Sequence, residues 1–216
     1  DHLGIDIQEI NFNSKNDFEF NLDNNFEISN LNISSEINLN NMKVDNSLKL
    51  KNIFPKIKKE VFFKNHQINL NYNKGNLKFI GSGDAFFQEE VDKIEYEIFK
   101  NDKEIKYNFI LNVTKNLLKF DLLNYEKNLN SNLKIAIIAK EIPKKKLLFN
   151  KILLKEDDNI IEIKNLVLSN NYMIKDFVNI NVNYLDKENL KNKIQITKKE
   201  NFFLVEGSSF NADNII

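Results

Sequence analysis

The sequence has no cysteine, no tryptophan, two prolines, five glycines and two histidines among its 216 residues. Without cysteine there is no disulfide framework and no thiolate metal site, although this absence does not indicate in which cellular compartment the protein lies. His2 and His66 stand far apart, outside any spacing typical of a zinc enzyme. Since no stretch rich in glycine, proline or serine divides the chain, we expect one elongated unit over residues 1–216, cut from a longer protein.

The sequence also lacks long blocks of like charge and long apolar runs. The chain carries 31 basic and 31 acidic side chains and no long block of either sign, so we do not expect nucleic acid as a partner. No apolar run approaches the roughly 18 residues of a membrane span, and no signal peptide is recognisable. We interpret the chain as a soluble segment whose anchor or export signal lies elsewhere in the parent protein.

The dominant pattern is strict alternation of apolar and polar side chains, and it is clearest in residues 94–113. Two alternating runs flank the polar turn at residues 100–104, which predicts a half-buried antiparallel hairpin. Because strand side chains alternate between two faces, the hairpin has one wet face and one apolar face. The apolar face contains Ile94, Tyr96, Ile98, Ile105, Tyr107, Phe109, Leu111 and Val113.

Similar alternating runs fill most of the chain and predict about sixteen strands, two of them within residues 5–22, with Leu48 and Leu50 closing the first meander. Slips in the alternation at Asn30 and Asn41 predict bulges or turns. Residues 81–84, Gly-Ser-Gly-Asp, lack the context of a phosphate loop and predict a strand end or a bulge.

The period changes only in residues 51–64, where Ile53, Ile57 and Val61 recur at helical spacing. Pro55 fits only the first turn of a helix, so any helix here is short. We interpret this stretch as a corner or plug between parts of the sheet. The alternative is a surface helix that touches a membrane with the lysines at 56, 58 and 59.

The sequence shows no recognisable set of catalytic residues. The carboxylates at 89–92 and 157–158 fall in predicted loops, where adjacent acidic residues are ordinarily solvated. The serines lack the elbow motif of a serine hydrolase. We therefore expect no enzymatic activity, no metal and no cofactor.

Five stretches resemble the AsmA-like superfamily of bacterial envelope proteins, in its middle-to-C-terminal part. They are Phe-Pro at 54–55, HQINLNYNKGNLKFIGSGD at 66–84, DKIEYEI at 92–98, LLNYEK at 122–127 and the ending FFLVEGSSFNADNII at 202–216. In the ending, Asn211 and Ala212 stand where the family has an Asp-Ala pair.

The resemblance implies an all-β fold: a long, twisted antiparallel sheet curled into an open groove, with at most one or two short helices. It also implies a non-enzymatic role in the periplasm, in which the groove shields phospholipid acyl chains and conducts them between the inner and outer membranes. The implied partners are phospholipid or another acyl-chain lipid and flanking groove segments of the parent chain, with membrane contact and inner-membrane anchoring through parts outside this segment. The expected lining residues are Ile94, Tyr96, Ile98, Tyr107, Phe109, Leu111, Val113, Phe120 and Leu122.

Two other functions stay open on the sequence. The apolar faces of two sheets could cover each other in a structural or adhesive β-sandwich, with each lining candidate as ordinary core. An enzyme on a β-scaffold would instead need polar groups clustered in a cleft. If all sixteen strands formed one ladder at about 4.8 Å per strand, it would be about 75 Å long.

Overall fold

The computed structural model describes residues 6–45, 50–143, 146–169, 171 and 173–211. Within them the protein is all-β, and its dominant element is one antiparallel sheet of thirteen strands curled into an open groove. The strands are β1 (Asp6–Leu22), β2 (Ile28–Asp45), β3 (Glu60–Asn73), β4 (Asn76–Phe86), β5 (Asp92–Lys100), β6 (Ile105–Val113), β9 (Leu133–Ile142), β10 (Lys146–Glu156), β11 (Asn159–Leu168), β12 (Ile174–Asp176), β13 (Asn179–Leu185), β14 (Lys191–Lys198) and β15 (Phe203–Ser209).

The remaining described elements are small. Strands β7 (Lys119–Phe120) and β8 (Tyr125–Glu126) form a separate two-stranded sheet. Two 3₁₀ helices occupy Leu50–Asn52 and Asp121–Leu123. None of the helices in the described ranges is long and apolar enough to cross a membrane.

Strand order follows chain order across the main sheet, with β12 as a side branch on β11. Twelve strands lie on the main path, so the ladder is about 53 Å long at about 4.8 Å per strand. Within the described residues, β1 pairs only with β2 and β15 pairs only with β14. The groove therefore has, at each end, a strand whose outer edge is unpaired within the described residues.

The predicted central hairpin is confirmed. Strands β5 and β6 pair with Tyr96 opposite Phe109, and the side chain of Asn101 holds the turn by accepting the backbone N–H groups of Lys103 (2.9 Å) and Glu104 (3.0 Å). On the outer face of the sheet, ion pairs such as Lys78 with Glu97 (3.0 Å) join neighbouring strands. The alternation in the sequence thus separates an apolar groove face from a charged outer face.

Several sequence predictions need correction. Residues 6–22 form one strand rather than two, because the polar residues at 13–16 pair without a break with residues 35–38 of β2. Val61 belongs to β3 and not to a helix. Phe120 and Leu122 lie in the two-residue strand β7 and the second 3₁₀ helix, where a regular strand was expected. Fifteen strands are described, of which thirteen share the main sheet.

Bulges and other backbone irregularities lie close to the positions where the sequence predicts them. Asn30 has a positive φ of 53° beside a register shift, and a second shift skips Asn40, next to the predicted slip. Residues 81–84 lie inside β4, opposite a bulge in β3 centred on Asn65, whose φ is 54°. That bulge moves the groove-facing residues of β3 from odd to even numbers. Ile5, Leu48 and residues 212–216 of the family-like ending lie outside the described residues.

Connections at the two rims of the groove differ in length. One rim consists mostly of hairpin turns, such as the two residues Lys74 and Gly75 between β3 and β4, with one longer connection that contains β12. At the opposite rim, two long connections fold over the groove, and we call their residues 50–58 and 114–131 the roof. Lys119 N–H donates to Ile53 C=O (3.0 Å), and the Gln88 side chain donates to Leu117 C=O (2.6 Å). These bonds join the two roof segments to each other and to the β4–β5 connection.

Most of the buried core lies where the roof packs on the sheet. Leu118 and Tyr125 of the roof are buried against Val113, Leu133 and other strand residues. Phe54 and Ile57 join the same cluster, which confirms the plug interpretation of residues 51–64 for the part that precedes β3, whereas residues 60–64 belong to that strand. The carboxylate of Glu156 accepts the Tyr125 hydroxyl (2.6 Å) and the Asn128 backbone N–H (2.8 Å), so the roof is also held by buried polar contacts.

Candidate functional site

The groove face contains one nearly uninterrupted apolar row. Because register pairs place directly opposite residues on the same face, the row can be followed strand by strand from β2 to β15. Its members, in order, are Ile37, Ile68, Gly81, Tyr96, Phe109, Ile137, Ile152, Ile163, Ile180, Ile196 and Val205.

A parallel row runs beside it, closer to the roof. It contains Gly83, Ile94, Leu111, Ile135, Leu154, Ile161, Val182, Ile194 and Gly207. Together the two rows make the groove face an aliphatic and aromatic surface over the length of the ladder.

Two hollows occupy this face. The larger has a volume of about 550 Å³ and extends from β1 to β6, with Ile57 and Phe87 at the roof side. The smaller, about 460 Å³, extends from β5 to β11 beneath Ile53 and Phe120. Ile94 and Phe109 line both hollows, so the two adjoin at the central hairpin. All residues lining the smaller hollow are apolar.

The structure brings most of the predicted lining residues to these hollows. Ile94 and Phe109 line both, Tyr96 and Ile98 line the larger, and Leu111 and Phe120 line the smaller. Whether any of them contacts lipid stays a prediction.

Three of the predicted residues are placed differently. Val113 is completely buried beneath the roof. Tyr107 stacks beside Phe109, with ring centroids 6.0 Å apart, and donates its hydroxyl to Glu141 (2.9 Å). Leu122 belongs to the second 3₁₀ helix, and its side chain lies outside the described part of the protein.

Apart from Phe120, sequence reasoning did not assign residues of the irregular connections to the groove lining. Ile53, Phe54, Phe87 and Leu123 contribute to the hollows or to the core beside them, but they come from irregular connections. Since such segments have no period, no alternation marks which of their apolar residues turn inward. The only available signal was the excess of apolar residues in connections expected to be polar.

A polar pair, His66 and Tyr96, lies inside the larger hollow. The Nε2 atom of His66 is 3.0 Å from the Asp84 backbone oxygen, which can only accept, so Nε2 carries the proton. The Nδ1 atom then accepts the Tyr96 hydroxyl at 3.0 Å. Burial lowers the pKa of His66 and raises the pKa of Tyr96 to about 12, so both groups are neutral near pH 7.

Two glycines of β4 make room for this pair. A Cβ at Gly83 would lie 2.2 Å from a ring carbon of His66, and a Cβ at Gly81 would lie 2.5 Å from the ring of Tyr96. At Gly83 the added Cβ would also lie 2.8 Å from the His66 Cα, so the backbone leaves no room for it, whereas at Gly81 the outer atoms of the Tyr96 ring would have to move. The spacing of the two glycines therefore reflects packing against aromatic rings of β3 and β5.

Chemically, the groove offers an apolar surface with few polar contacts. Of the residues that line the larger hollow, only Asp45, His66 and Tyr96 are polar. The described ranges contain no group of three or more His, Asp or Glu side chains placed to hold a metal ion. An apolar ligand would contact hydrocarbon side chains on the groove face, and its other side would face water.

Comparison of the chain with family models, with curated proteins and with solved structures found no match.

Proposed function

We propose that this protein is a non-enzymatic groove that shields the acyl chains of phospholipid or a related lipid and conducts them along its length. The observation that carries the proposal is the continuous apolar face, whose two hollows meet at Ile94 and Phe109. An acyl chain that moves from a membrane onto this face passes from one hydrocarbon environment to another. The transfer therefore needs no catalytic group.

The dimensions support an acyl chain as the occupant. The larger hollow spans six strands, or about 24 Å at about 4.8 Å per spacing. One leaflet of a bilayer has acyl chains of about 15 Å, half of the roughly 30 Å hydrocarbon core. Removing about fifteen methylenes from a membrane into water costs about 12 kcal/mol at about 0.8 kcal/mol each, so an apolar conduit would speed transfer greatly.

The cellular setting of the proposal rests on the resemblance to AsmA-like envelope proteins. On that basis the protein lies in the periplasm and belongs to a longer chain anchored in the inner membrane. Flanking groove segments would extend the ladder at the unpaired edges of β1 and β15, and contact with the membranes would involve parts outside this segment. In this setting the groove transfers lipid between the inner and outer membranes.

A structural or adhesive module is the second candidate. The core under the roof favours it, because the protein's own side chains bury Val113, Leu118 and Leu133. Such a module would have no need of the open hollow between β1 and β6. Binding of a hydrophobic ligand by the folded protein therefore distinguishes the two candidates.

The test uses delipidated protein titrated with a fluorescent fatty acid. Phe109→Glu and Leu111→Lys each place a charge on the groove face, and we expect each to weaken binding by about tenfold or more, since a charge on an apolar surface opposes burial of the chain. Ile110→Glu is the matched control, because residue 110 faces outward on the same strand.

Circular dichroism must show all three variants folded. If both groove variants bind as tightly as the unaltered protein, the lining assignment is wrong; if the unaltered protein binds no fatty acid, the structural module is favoured.

A further inference from the structure

Three buried ionisable side chains lie where the roof meets the sheet. Asp92, the first residue of β5, is completely buried. Lys127 of the roof and Glu156, the last residue of β10, are each only 2% exposed. Burying a charge costs free energy unless an opposite charge or several hydrogen bonds compensate it. Because there are two carboxyl groups and one ammonium group, one of the carboxyl groups lacks a balancing charge.

Hydrogen bonds identify Glu156 as the carboxylate that is compensated. Its two oxygens accept the Tyr125 hydroxyl (2.6 Å), the Asn128 backbone N–H (2.8 Å), the Ser131 hydroxyl and the Asn159 side-chain amide (3.4 Å). Four donors satisfy the charged form of a carboxyl group. The negative charge of this cluster therefore belongs to Glu156.

Asp92 has fewer partners. Its Oδ2 atom accepts the Asn116 side-chain amide (2.9 Å), whereas its Oδ1 atom is buried without a hydrogen-bond partner in the described part of the chain. Burial raises the pKa of Asp92 to about 6. The Asn116 amide, the nearby Thr114 backbone N–H and the positive charge of Lys127 favour the carboxylate, but they do not outweigh burial. Asp92 is therefore the carboxyl group that takes up a proton.

The elements packed around Asp92 bring one charged side chain to it. Ala85 of β4 lies opposite Asp92 in the register, and Val113 at the end of the neighbouring strand β6 is buried and apolar. The roof contributes Asn116, which is neutral, and Lys127. Among the described residues, Lys127 is the one charged group that acts on this carboxyl group.

The contacts of Asp92 fix the start of the longer roof segment. Besides its bond to Asp92, the Asn116 side chain donates to the Glu90 C=O (2.7 Å) and accepts the Glu90 N–H (3.1 Å). The ammonium group of Lys127 donates to the Thr114 C=O, so the segment closes on itself at the same place. Asp92 thus lies under the point where this segment leaves the sheet.

The roof is also the cover of the smaller hollow. Ile53, Phe54, Phe120 and Leu123 line that hollow from the roof side. Water can reach Asp92 only if the roof segment above it moves, because the side chain is completely buried in the closed structure. Hydration of this carboxyl group and uncovering of the hollow therefore involve the same segment.

We propose that the roof is a pH-dependent lid over the smaller hollow, which stays closed while the carboxyl group of Asp92 is protonated and loosens when that group ionises. Ionisation places a second negative charge beside a single cation, and movement of the roof lets water hydrate it. The inference rests on the proposed function only for its consequence, that an acyl chain enters the smaller hollow more readily when the roof is loose.

The direction of the effect follows from the raised pKa. The protonated carboxyl group of Asp92 stabilises the closed roof fully below its pKa in water, about 3.9. This stabilisation is lost as the pH rises through about 6, the pKa of the buried group. The equilibrium constant for opening of the roof should therefore rise by about tenfold between pH 5 and pH 7.5.

Amide hydrogen exchange of the full chain measures this opening without any ligand. The reporters are the backbone N–H groups of Lys119 and Lys127, which donate to the carbonyl oxygens of Ile53 (3.0 Å) and Leu118 (2.9 Å). After correction for the intrinsic exchange rate at each pH, their protection should fall by about tenfold from pH 5 to pH 7.5. In Asp92→Asn, which is uncharged at both pH values, the two protection factors should be nearly equal.

Two variants provide matched controls. Asp186 is also buried beside the roof, and although burial opposes it, four hydrogen bonds to the carboxylate lower its pKa. Asp186→Asn should therefore change the protection of the roof amides by the same factor at both pH values. Burial lowers the pKa of His66 from a value near this pH range, so His66→Gln tests whether that ring causes the effect. The pH dependence of the roof should remain in His66→Gln.

A second measurement needs no variant and decides the case if Asp92→Asn does not fold. The carboxyl carbon of Asp92, followed by NMR in the unaltered protein, should titrate near pH 6. Titration below about pH 4.5 would overturn the lid, as would roof amides whose protection is the same at both pH values. A pH dependence that survives in Asp92→Asn has the same meaning.

The lid and the groove function fail in different experiments. A roof that responds to pH as expected, in a protein that binds no fatty acid at either pH, supports the lid and removes the lipid function. Binding of fatty acid by a protein whose roof does not respond to pH supports the groove and removes the lid.

Discussion

The roofed half of the groove and its open half are built from the same kind of strand but reach different states. Under the roof, from β6 to β13, Val113, Leu118 and Leu133 are almost completely buried. On β1, Phe12 remains 48% exposed although it lies on the same apolar face. The difference comes from the connections: long irregular segments cover one region, whereas the side chains of residues 7–22 on β1 all stay exposed. Alternation creates an apolar face, but only a covering element turns it into a core.

The largest expected effect tests this difference directly. Leu118→Ala leaves a cavity under the roof and should lower the free energy of unfolding by about 2–5 kcal/mol. Leu22→Ala makes the same chemical change on the exposed β1, where it should cost about 1 kcal/mol or less. Urea unfolding measures both, and equal losses would contradict the division into a roofed and an open half.

An intermediate effect on stability is expected for a substitution at Gly83 of β4, which packs against His66 in the larger hollow. Gly83→Ala forces a methyl group against His66, so the free energy of unfolding should fall by about 1–3 kcal/mol. His66→Ala should remove the contacts with the ring, although the contact with the Cα of residue 66 (2.8 Å) remains, so the double variant should lose less stability than the two single variants added together.

Gly75→Ala provides the control for that experiment. No atom lies within 4 Å of its added Cβ, and its cost arises from the positive φ of 81° alone. His66→Ala should therefore not offset it. Simple additivity at position 83 would show that the close packing of His66 on β4 is not what requires glycine there.

The smallest effect concerns pH. Burial lowers the pKa of His66 in the folded protein, so the unfolded chain binds the proton at higher pH than the folded one. The neutral ring contributes its full stabilisation above the pKa of histidine in the unfolded chain, about 6.5. This stabilisation is lost as the pH falls from that value through the lower pKa of His66 in the folded protein. The difference in unfolding free energy between the unaltered protein and His66→Gln should therefore shrink between about pH 7 and pH 5. If the difference in unfolding free energy does not depend on pH, the ring of His66 has the same pKa in the folded and the unfolded protein.

The sequence alone determined the all-β class and the central hairpin, because a period of two with polar turns permits few other structures. It also placed Ile94, Tyr96, Ile98, Phe109 and Leu111 on the apolar face by alternation, and these five residues line the hollows. Residues 6–22 were split wrongly because a polar stretch inside an edge strand has the composition of a turn.

Only the tertiary structure decided which parts of the apolar face are covered. Phe54 and Leu118 belong to irregular segments, and their inward positions depend on contacts between residues far apart in the chain. The same holds for His66, whose place on the groove face follows from the bulge at Asn65 and the space above Gly83. Alternation is a local property of each strand, whereas a roof and a hollow arise from how distant segments meet.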